Sequence, residues 1–279
     1  MQDKLSFQDI LHKGGEILKQ AGINCSGTDA WYLLEYVTGM DRAEYFLKKN
    51  DAAPLWAVKK YQELIDTRAS HMPLQYITGS QEFMGLIFKV SEDVLVPRQD
   101  TETLVEYVLP FVKDRHILDM CTGSGCIAIS LAKLGSPALC TAADYSVKAL
   151  ETARLNARLN GVNIKFVQGD MFENITGNYG VIVSNPPYIR TGVIDTLMPE
   201  VREHEPRMAL DGGKDGLFFY RIITSQAKKH LEPGGIIAVE TGHDQGEWVK
   251  SIFEESGYKD VCIQKDLCGN NRVVAAVMP

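Results

Sequence analysis

The chain has 279 residues, 45% of them hydrophobic and 23% charged, which fits an ordinary folded protein rather than a disordered, collagen-like or disulfide-stapled one. Lys and Arg total 29 against 36 Asp and Glu, a net charge of −7, and this argues against general nucleic-acid binding, because phosphate neutralisation takes clustered Lys and Arg. No apolar run reaches the roughly 18 residues of a membrane span, and MQDKLSFQDI shows no basic stretch followed by an apolar one, so neither a spanning anchor nor a secretory leader is expected.

The N-terminal part reads as short helices. Leu5, Ile10, Leu11, Ile17 and Leu18 fall near a 3.6-residue period. Thr28 reads as the N-cap of a second helix carrying Trp31, Leu34 and Val37 and ending at Gly39. Asp41 with Glu44 resembles a capping box, and Pro54 suits the opening of a helix through Ile65. No catalytic cluster stands out, so residues 1–80 are expected to form a small helical domain for recognition or packing. Residues 81–97 change character. QEFMGLIFKV and DVLVP are β-rich and separated by Ser-Glu-Asp, which predicts a hairpin linker, with residues 73–79 as its hinge.

From residue 98 onward, apolar runs alternate with helical patterns. A helix is expected over 101–112, a strand over 116–120, a helix over 126–134, a strand over 139–144 and a helix over 146–160. IKFVQGD and YGVIVSN read as strands, GLFFYRIITSQAKKHL as a helix, GIIAVE as a strand and 245–256 as a helix. The last two strands, in YKDVCIQKD and NRVVAAVMP, have no helix between them, so a hairpin would leave one strand antiparallel. The fold class is therefore α/β, a mostly parallel sheet with helices on both faces, over residues 98–279. Six cysteines (Cys25, Cys121, Cys126, Cys140, Cys262 and Cys268) form no CxxC pair. No metal site is expected, and reduced thiols fit a cytoplasmic protein.

In open α/β sheets, ligands bind at the carboxyl ends of the strands. Asp119-Met-Cys-Thr-Gly-Ser-Gly125 occupies such an end, and Gly123 and Gly125 let the backbone turn sharply and approach a ligand. Asp144 ends the next strand, where a carboxylate can accept hydrogen bonds from ribose hydroxyls. Asp170 can accept from an adenine amino group, and Met171 and Phe172 either cover the ring or pack in the core. These features predict a nucleotide-like cofactor. The GxGxxA pattern of residues 123–128 admits a nicotinamide dinucleotide, whereas S-adenosylmethionine needs glycine clearance more than a phosphate cradle.

Ser184-Asn185-Pro186-Pro187-Tyr188 stands at the end of the fourth strand. Two prolines stiffen the loop and remove its backbone donors. The Asn185 side-chain oxygen and the Pro186 carbonyl are acceptors able to grip the two N–H groups of a planar nitrogen, and Tyr188 offers a ring to stack on it. An amide nitrogen is a poor nucleophile, and such acceptors stabilise the positive charge it develops during attack.

Together, DMCTGSGCIAISLA, Asp144, QGDMF and SNPPYI resemble S-adenosylmethionine-dependent amino-methyltransferases, SNPPYI being shared with adenine-N6 DNA methyltransferases. PLQYITGSQEF, LVPRQDTETLVE, EPRMALDGGKDGL and LEPGGIIAVETGHDQG narrow the resemblance to the release factor glutamine methyltransferases, the PrmC or HemK family. The resemblance implies a Rossmann-like seven-stranded methyltransferase domain that methylates the Gln of the Gly-Gly-Gln motif in peptide-chain release factors. It assigns Asn185, Pro186, Pro187 and Tyr188 to glutamine binding, with Asn185, Pro186 and Tyr188 catalytic. It assigns Cys121, Thr122, Gly123, Ser124, Gly125, Asp144, Asp170, Met171 and Asn185 to the cofactor.

Two positions depart from the family pattern: Cys121, often Gly, and Gln99, commonly Pro. Arg98 and Glu102 are expected to line the site or brace the linker, although Asp100 and Glu102 also suit a solvated helix start. Residues 205–207 and 211–216 suggest a loop over the substrate, and His204 and His243 have no metal-ligand partner pattern. An adenine-N6 nucleic-acid methyltransferase and a non-catalytic nucleotide-fold module remain the competing readings.

Overall fold

A computed structural model describes residues 5–279, and the chain divides into two compact units. One takes in the chain up to Gly79 together with Met198–His204; the other takes in Ser80–Leu197 and Glu205–Pro279. No helix among the described residues is long and apolar enough to cross a membrane.

The first unit contains α1 (Phe7–Gln20), α2 (Ser26–Thr38), α3 (Arg42–Lys48), α4 (Leu55–Ala69) and α5 (Leu74–Thr78). Ser6 and Asp9 form a reciprocal capping box at the start of α1, which satisfies two otherwise orphaned N–H groups. The second helix begins at Ser26, two residues ahead of the expected Thr28 cap, and Cys25 caps it without a side-chain bond. It stops at Gly39, whose φ of 70° few other residues adopt cheaply. Leu18, Leu33, Leu34 and Ile65 are fully buried in one core with Trp31 and Tyr61. A Cβ on Gly14 would lie 2.2 Å from the Tyr61 hydroxyl, so glycine is what lets α1 and α4 approach.

The second unit opens with β1 (Ser80–Phe83) and β2 (Leu86–Lys89), an antiparallel pair. Its turn is Met84-Gly85, both at positive φ (53° and 71°) as the tight hairpin twist demands. Ser-Glu-Asp is therefore not the turn, and DVLVP forms no strand. Then follow α6 (Gln99–Val108), β3 (His116–Met120), α7 (Cys126–Gly135), β4 (Leu139–Asp144), α8 (Val147–Asn160), β5 (Lys165–Gln168) and β6 (Tyr179–Ser184). After α9 (Pro199–His204), which clusters with the first unit, come α10 (Phe218–Gln226), β7 (Leu231–Glu240), α11 (Gly246–Glu255), β8 (Lys259–Lys265) and β9 (Asn271–Val277). Within the first unit, buried Arg68 holds α9 by donating to Glu200 at 2.6 Å, while its Nε donates to Asp29 at 2.8 Å.

Seven strands form one sheet in the order β5-β4-β3-β6-β7-β9-β8. All neighbours are parallel except that β9 runs antiparallel to β7 and β8, the single reversed strand expected from the closing hairpin. Residues of each central strand alternate between two cores. Ile117, Val181 and Val183 pack with α6, α7 and α8, whereas Leu118 and Ile182 pack with α10 and α11. The chain moves outward from β3 to β5 and then returns to place β6 on the other side of β3. That reversal opens a crevice at the carboxyl ends of β3 and β6, where ligands of such sheets bind.

Candidate active site

A cavity of about 680 Å³ occupies this crevice, within the range of small-molecule sites. The ends of β3, β4, β5 and β6 each contribute a wall. Of the expected cofactor residues, Cys121, Thr122, Gly123, Ser124, Asp144, Asp170, Met171 and Asn185 line it. Gly125 does not. A Cβ there would come within 2.9 Å of Ile129 and 3.1 Å of Ala153, so its role is to let α7 and α8 pack closely. Phe172 also stays outside, buried and stacked on His230 with ring centroids 5.6 Å apart, so it covers no ligand.

The turn after β3 is braced from inside the protein. Asp119 is fully buried, and its Oδ2 accepts from the Thr122 hydroxyl at 2.6 Å and from the Ala128 N–H at 3.2 Å. Burial pushes its carboxyl up to about 7. Cys121 adopts φ 59°, a left-handed conformation that explains why glycine suits this position. Burial raises the thiol pKa of Cys121 far above its usual value, and that of Cys126 to about 12, so both stay protonated thiols at neutral pH.

Gly123 sits at φ 54°, and a Cβ built on it meets nothing within 4 Å, so its open face adjoins the cavity. The Asp144 carboxylate accepts from the Gly123 N–H at 2.9 Å and from the Ser146 N–H at 2.8 Å. Burial raises its pKa while those N–H groups pull it down. Each oxygen keeps a lone pair for a further donor. A vicinal diol donating to this carboxylate, with a chain running over Gly123, is the arrangement that the free acceptor lone pairs and the clearance fit. Among the described residues no group of three His, Cys, Asp or Glu is placed to hold a metal.

On the acceptor side, Asn185 and Pro187 line the cavity, whereas Pro186 and Tyr188 do not. Asn185 donates through Nδ2 to the Thr101 hydroxyl at 3.2 Å. The Tyr188 hydroxyl is turned inward and donates to Glu240 Oε1 at 3.1 Å, so in this conformation its ring is part of the core beneath the loop rather than a stacking platform. The loop is also pinned from below: Ser184 donates to the Met120 carbonyl at 2.8 Å, and Gln245 donates to the Tyr188 carbonyl at 2.9 Å.

The segment expected over the substrate lines the cavity through Pro206, Asp211 and Gly213, and it also braces this loop. Gly212 donates to the Ile189 carbonyl at 2.8 Å. A Cβ on Gly212 would lie 2.7 Å from the Tyr188 Cα and 2.9 Å from the Pro187 carbonyl oxygen, and backbone cannot yield as a side chain tip can. Gly212→Ala is therefore expected to shift the Asn185 loop and lower kcat/KM for the methyl acceptor by roughly 10- to 100-fold. Cofactor affinity, read by calorimetry, should stay near wild type; equal losses in both would show a general collapse of the cavity instead.

Arg98 lines the cavity and pairs at 2.6 Å with Glu205, whose side chain is 1% exposed. Glu102 accepts from the Met84 N–H at 2.6 Å and so fixes the hairpin turn, and Asp100 pairs with Arg272 at 2.9 Å. Thr101, which lines the cavity, and Glu240, buried beneath the loop against the Tyr188 hydroxyl, carried no signal of their own in the sequence. Thr101 lies between two acids, and Glu240 merely ends an apolar run.

A doubly wound seven-stranded sheet, a glycine turn facing a strand-end carboxylate and an Asn-Pro-Pro-Tyr loop across the cavity define an S-adenosylmethionine-dependent methyltransferase. Two family models match the chain, the PrmC N-terminal domain over residues 9–79 and the methyltransferase small domain over residues 99–204. The release factor glutamine methyltransferase of Clostridium acetobutylicum is 39% identical, over 98% of this chain and 99% of its own. That of Agrobacterium fabrum is 40% identical over 92% of each. The chain belongs to the release factor glutamine methyltransferase family. A methyltransferase from Pyrococcus furiosus shares the fold, with a TM-score of 0.53 at 23% identity over 69% of this chain and 89% of its own. A 16S rRNA methyltransferase from Thermus thermophilus, crystallised with S-adenosylmethionine and guanosine, gives a TM-score of 0.51 at 18% identity, covering 72% of this chain and 50% of its own.

Proposed function

We propose that the cavity methylates the side-chain amide nitrogen of the glutamine in the Gly-Gly-Gln motif of peptide-chain release factors. S-adenosylmethionine, when bound, supplies a methyl group made electrophilic by a positively charged sulfur. In this reading the turn at Cys121, Thr122, Gly123 and Ser124, with Asp144, Asp170 and Met171, holds the cofactor. Asn185 Oδ1, on the cavity wall, accepts one N–H of the glutamine amide, and the Pro186 carbonyl, next along the same loop but off that wall in this conformation, is the second acceptor in this proposal.

The acceptors do chemical work. Conjugation with the carbonyl leaves an amide nitrogen little nucleophilic density. As nitrogen gains the methyl carbon it becomes more positive, then gives up one proton to solvent. Two fixed oxygens aimed at its N–H groups stabilise that charge more in the transition state than in the ground state. They also hold the lone pair in line with the methyl carbon, which removes orientational entropy from the barrier. Pro186 and Pro187 keep the loop stiff and free of competing N–H donors.

The observation that carries this reading is the hydrogen bond of Asn185. One hydrogen of its Nδ2 is engaged by Thr101, which turns the NH₂ end toward α6 and leaves the carbonyl oxygen, an acceptor with no protein partner among the described residues, for a ligand in the cavity. A planar NH₂ suits that oxygen, and a carbonyl or carboxylate does not. Residues 1–80 are assigned to recognition of the release factor, 81–97 to the linker and 98–279 to the methyltransferase domain. The reaction is placed in the cytoplasm, where translation terminates, and the net charge of −7 speaks against stable nucleic-acid binding.

Mass spectrometry of a release factor incubated with the chain and S-adenosylmethionine tests the proposal. A one-methyl mass gain on the Gly-Gly-Gln peptide is expected. Methyl transfer to DNA or RNA but not to that peptide would overturn it.

A further inference from the structure

We propose that Arg98 holds the main-chain carbonyl of the Gly-Gly segment that carries the glutamine, and so helps to select the methyl acceptor. The inference rests on the amide-grip reading above and extends it to a residue outside that grip.

A Gly-Gly pair offers no side chain to read. What it brings into a cavity is its peptide groups, whose carbonyl oxygens lose water on entry and need donors there. The described residues lining the cavity are rich in charged acceptors, with Asp93, Asp144, Asp170 and Asp211, and include one cation, Arg98. A carbonyl oxygen entering this space therefore meets one charged donor, and a charge-assisted bond to it is the strongest on offer.

Arg98 is anchored for that task. Its Nη2 donates to both oxygens of Glu205, at 2.7 and 2.6 Å. The Glu205 side chain is 1% exposed and also takes the Val96 N–H at 3.4 Å. The Arg98 side chain remains 43% exposed, and its Nε and Nη1 make no hydrogen bond among the described residues. One nitrogen is thus spent on fixing the guanidinium, and the other two are left as donors for the cavity that Arg98 lines.

The guanidinium also stands on the acceptor side. Arg98 caps α6, and Thr101, three residues on and so a neighbour on one helix face, accepts from Asn185 Nδ2. Glu205 opens the segment whose Gly212 lies against Pro187 and Tyr188. The two elements that hold the guanidinium are the two that hold the Asn185 loop, whereas Gly123 and Asp144 come from the ends of β3 and β4.

Steady-state methyl transfer to a release factor at saturating S-adenosylmethionine, with cofactor affinity read by calorimetry, tests this on the full chain. Arg98→Lys keeps a cation for Glu205 but replaces the planar fork by a point charge already engaged there. It should bind S-adenosylmethionine as the wild type does and raise the KM for release factor roughly 10-fold with kcat nearly unchanged, the pattern of lost uniform binding. Arg98→Gln, which lacks the charge, should raise KM by roughly 10- to 100-fold. A semisynthetic release factor with an (E)-alkene in place of the Gly–Gly amide lacks the carbonyl. The wild type should show a KM roughly 10-fold higher for it, and Arg98→Lys should then cost nothing further.

A wild-type KM in Arg98→Lys would reduce Arg98 to the partner of Glu205 and overturn the inference while leaving the amide grip standing. Weakened cofactor binding with an unchanged KM for release factor would give the guanidinium to the methionine carboxylate of S-adenosylmethionine and overturn it too. So would effects of the alkene and of Arg98→Lys that multiply independently. A wild-type chain unable to methylate release factor would overturn the reading of the site, and this inference with it.

Discussion

Asn185→Ala should bind S-adenosylmethionine almost as well as the wild type and transfer methyl groups roughly 10²- to 10³-fold more slowly, the loss seen when one preorganised polar group is removed from a developing charge. The argument lies in what the side chain does at each stage. In the ground state the glutamine NH₂ is nearly neutral, and water or a backbone carbonyl satisfies it. In the transition state the nitrogen carries partial positive charge, and a fixed oxygen is worth more than a mobile one. The loss should therefore appear in kcat rather than in the KM for release factor.

Asn185→Gln sharpens the test. It keeps the carboxamide but adds one methylene, so the oxygen moves by more than 1 Å and the bond from Nδ2 to Thr101 cannot form in place. A misplacement of that size costs about 10²-fold. Single-turnover transfer with saturating cofactor reads both variants. An Asn185→Ala enzyme with near wild-type single-turnover rate would show that the nitrogen is activated elsewhere.

The parallel sheet was legible because its strands are buried on both faces. HILDM and LCTAAD coincide with β3 (His116–Met120) and β4 (Leu139–Asp144), and apolar runs bounded by turns are the signature of such strands. The positions of Gly123, Asp144 and Asn185 follow from those strand ends, since β–α connections of this sheet deliver their first residues to one rim.

What escaped the sequence depends on partners distant in the chain. Tyr188 reads as a stacking ring until Glu240, 52 residues away, takes its hydroxyl. Gly125 reads as part of the cofactor turn until Ala153 is seen against it. Met84 has no turn preference, yet it takes φ 53° because Glu102 accepts its N–H. Thr101 was hidden between Asp100 and Glu102. Those acids fit a solvated helix start, although Asp100 pairs with Arg272 and Glu102 holds the hairpin, and only helix phase puts the threonine inward. In each case a long-range partner decides between two locally acceptable orientations.

Asp144→Ala should give the largest change in cofactor binding. The carboxylate already fixes the turn by accepting from the Gly123 and Ser146 N–H groups, and in the proposed site it also accepts two ribose hydroxyls. Hydrogen bonds to a charged group contribute about 1.5 to 3 kcal/mol each. Loss of both ribose bonds therefore predicts a Kd for S-adenosylmethionine weaker by roughly 10² to 10⁴, with a further loss from the loosened turn. Asp144→Asn keeps the volume and one acceptor oxygen, but its NH₂ opposes a donor, so its Kd should fall between those of Asp144→Ala and the wild type.

The pH dependence of binding has a definite sign. Burial raises the Asp144 pKa in the free protein, and the protonated form loses acceptor capacity. Affinity should thus decline on the acid side as the carboxyl takes up its proton, and the bound diol, which favours the ionised form, should draw the pKa back down. Calorimetric titration across pH reads the affinities and the proton released to buffer on binding. The Asp144→Ala profile should lack this acid-side decline. An Asp144→Ala chain that binds S-adenosylmethionine within threefold of wild type would mean that the ribose rests on another group.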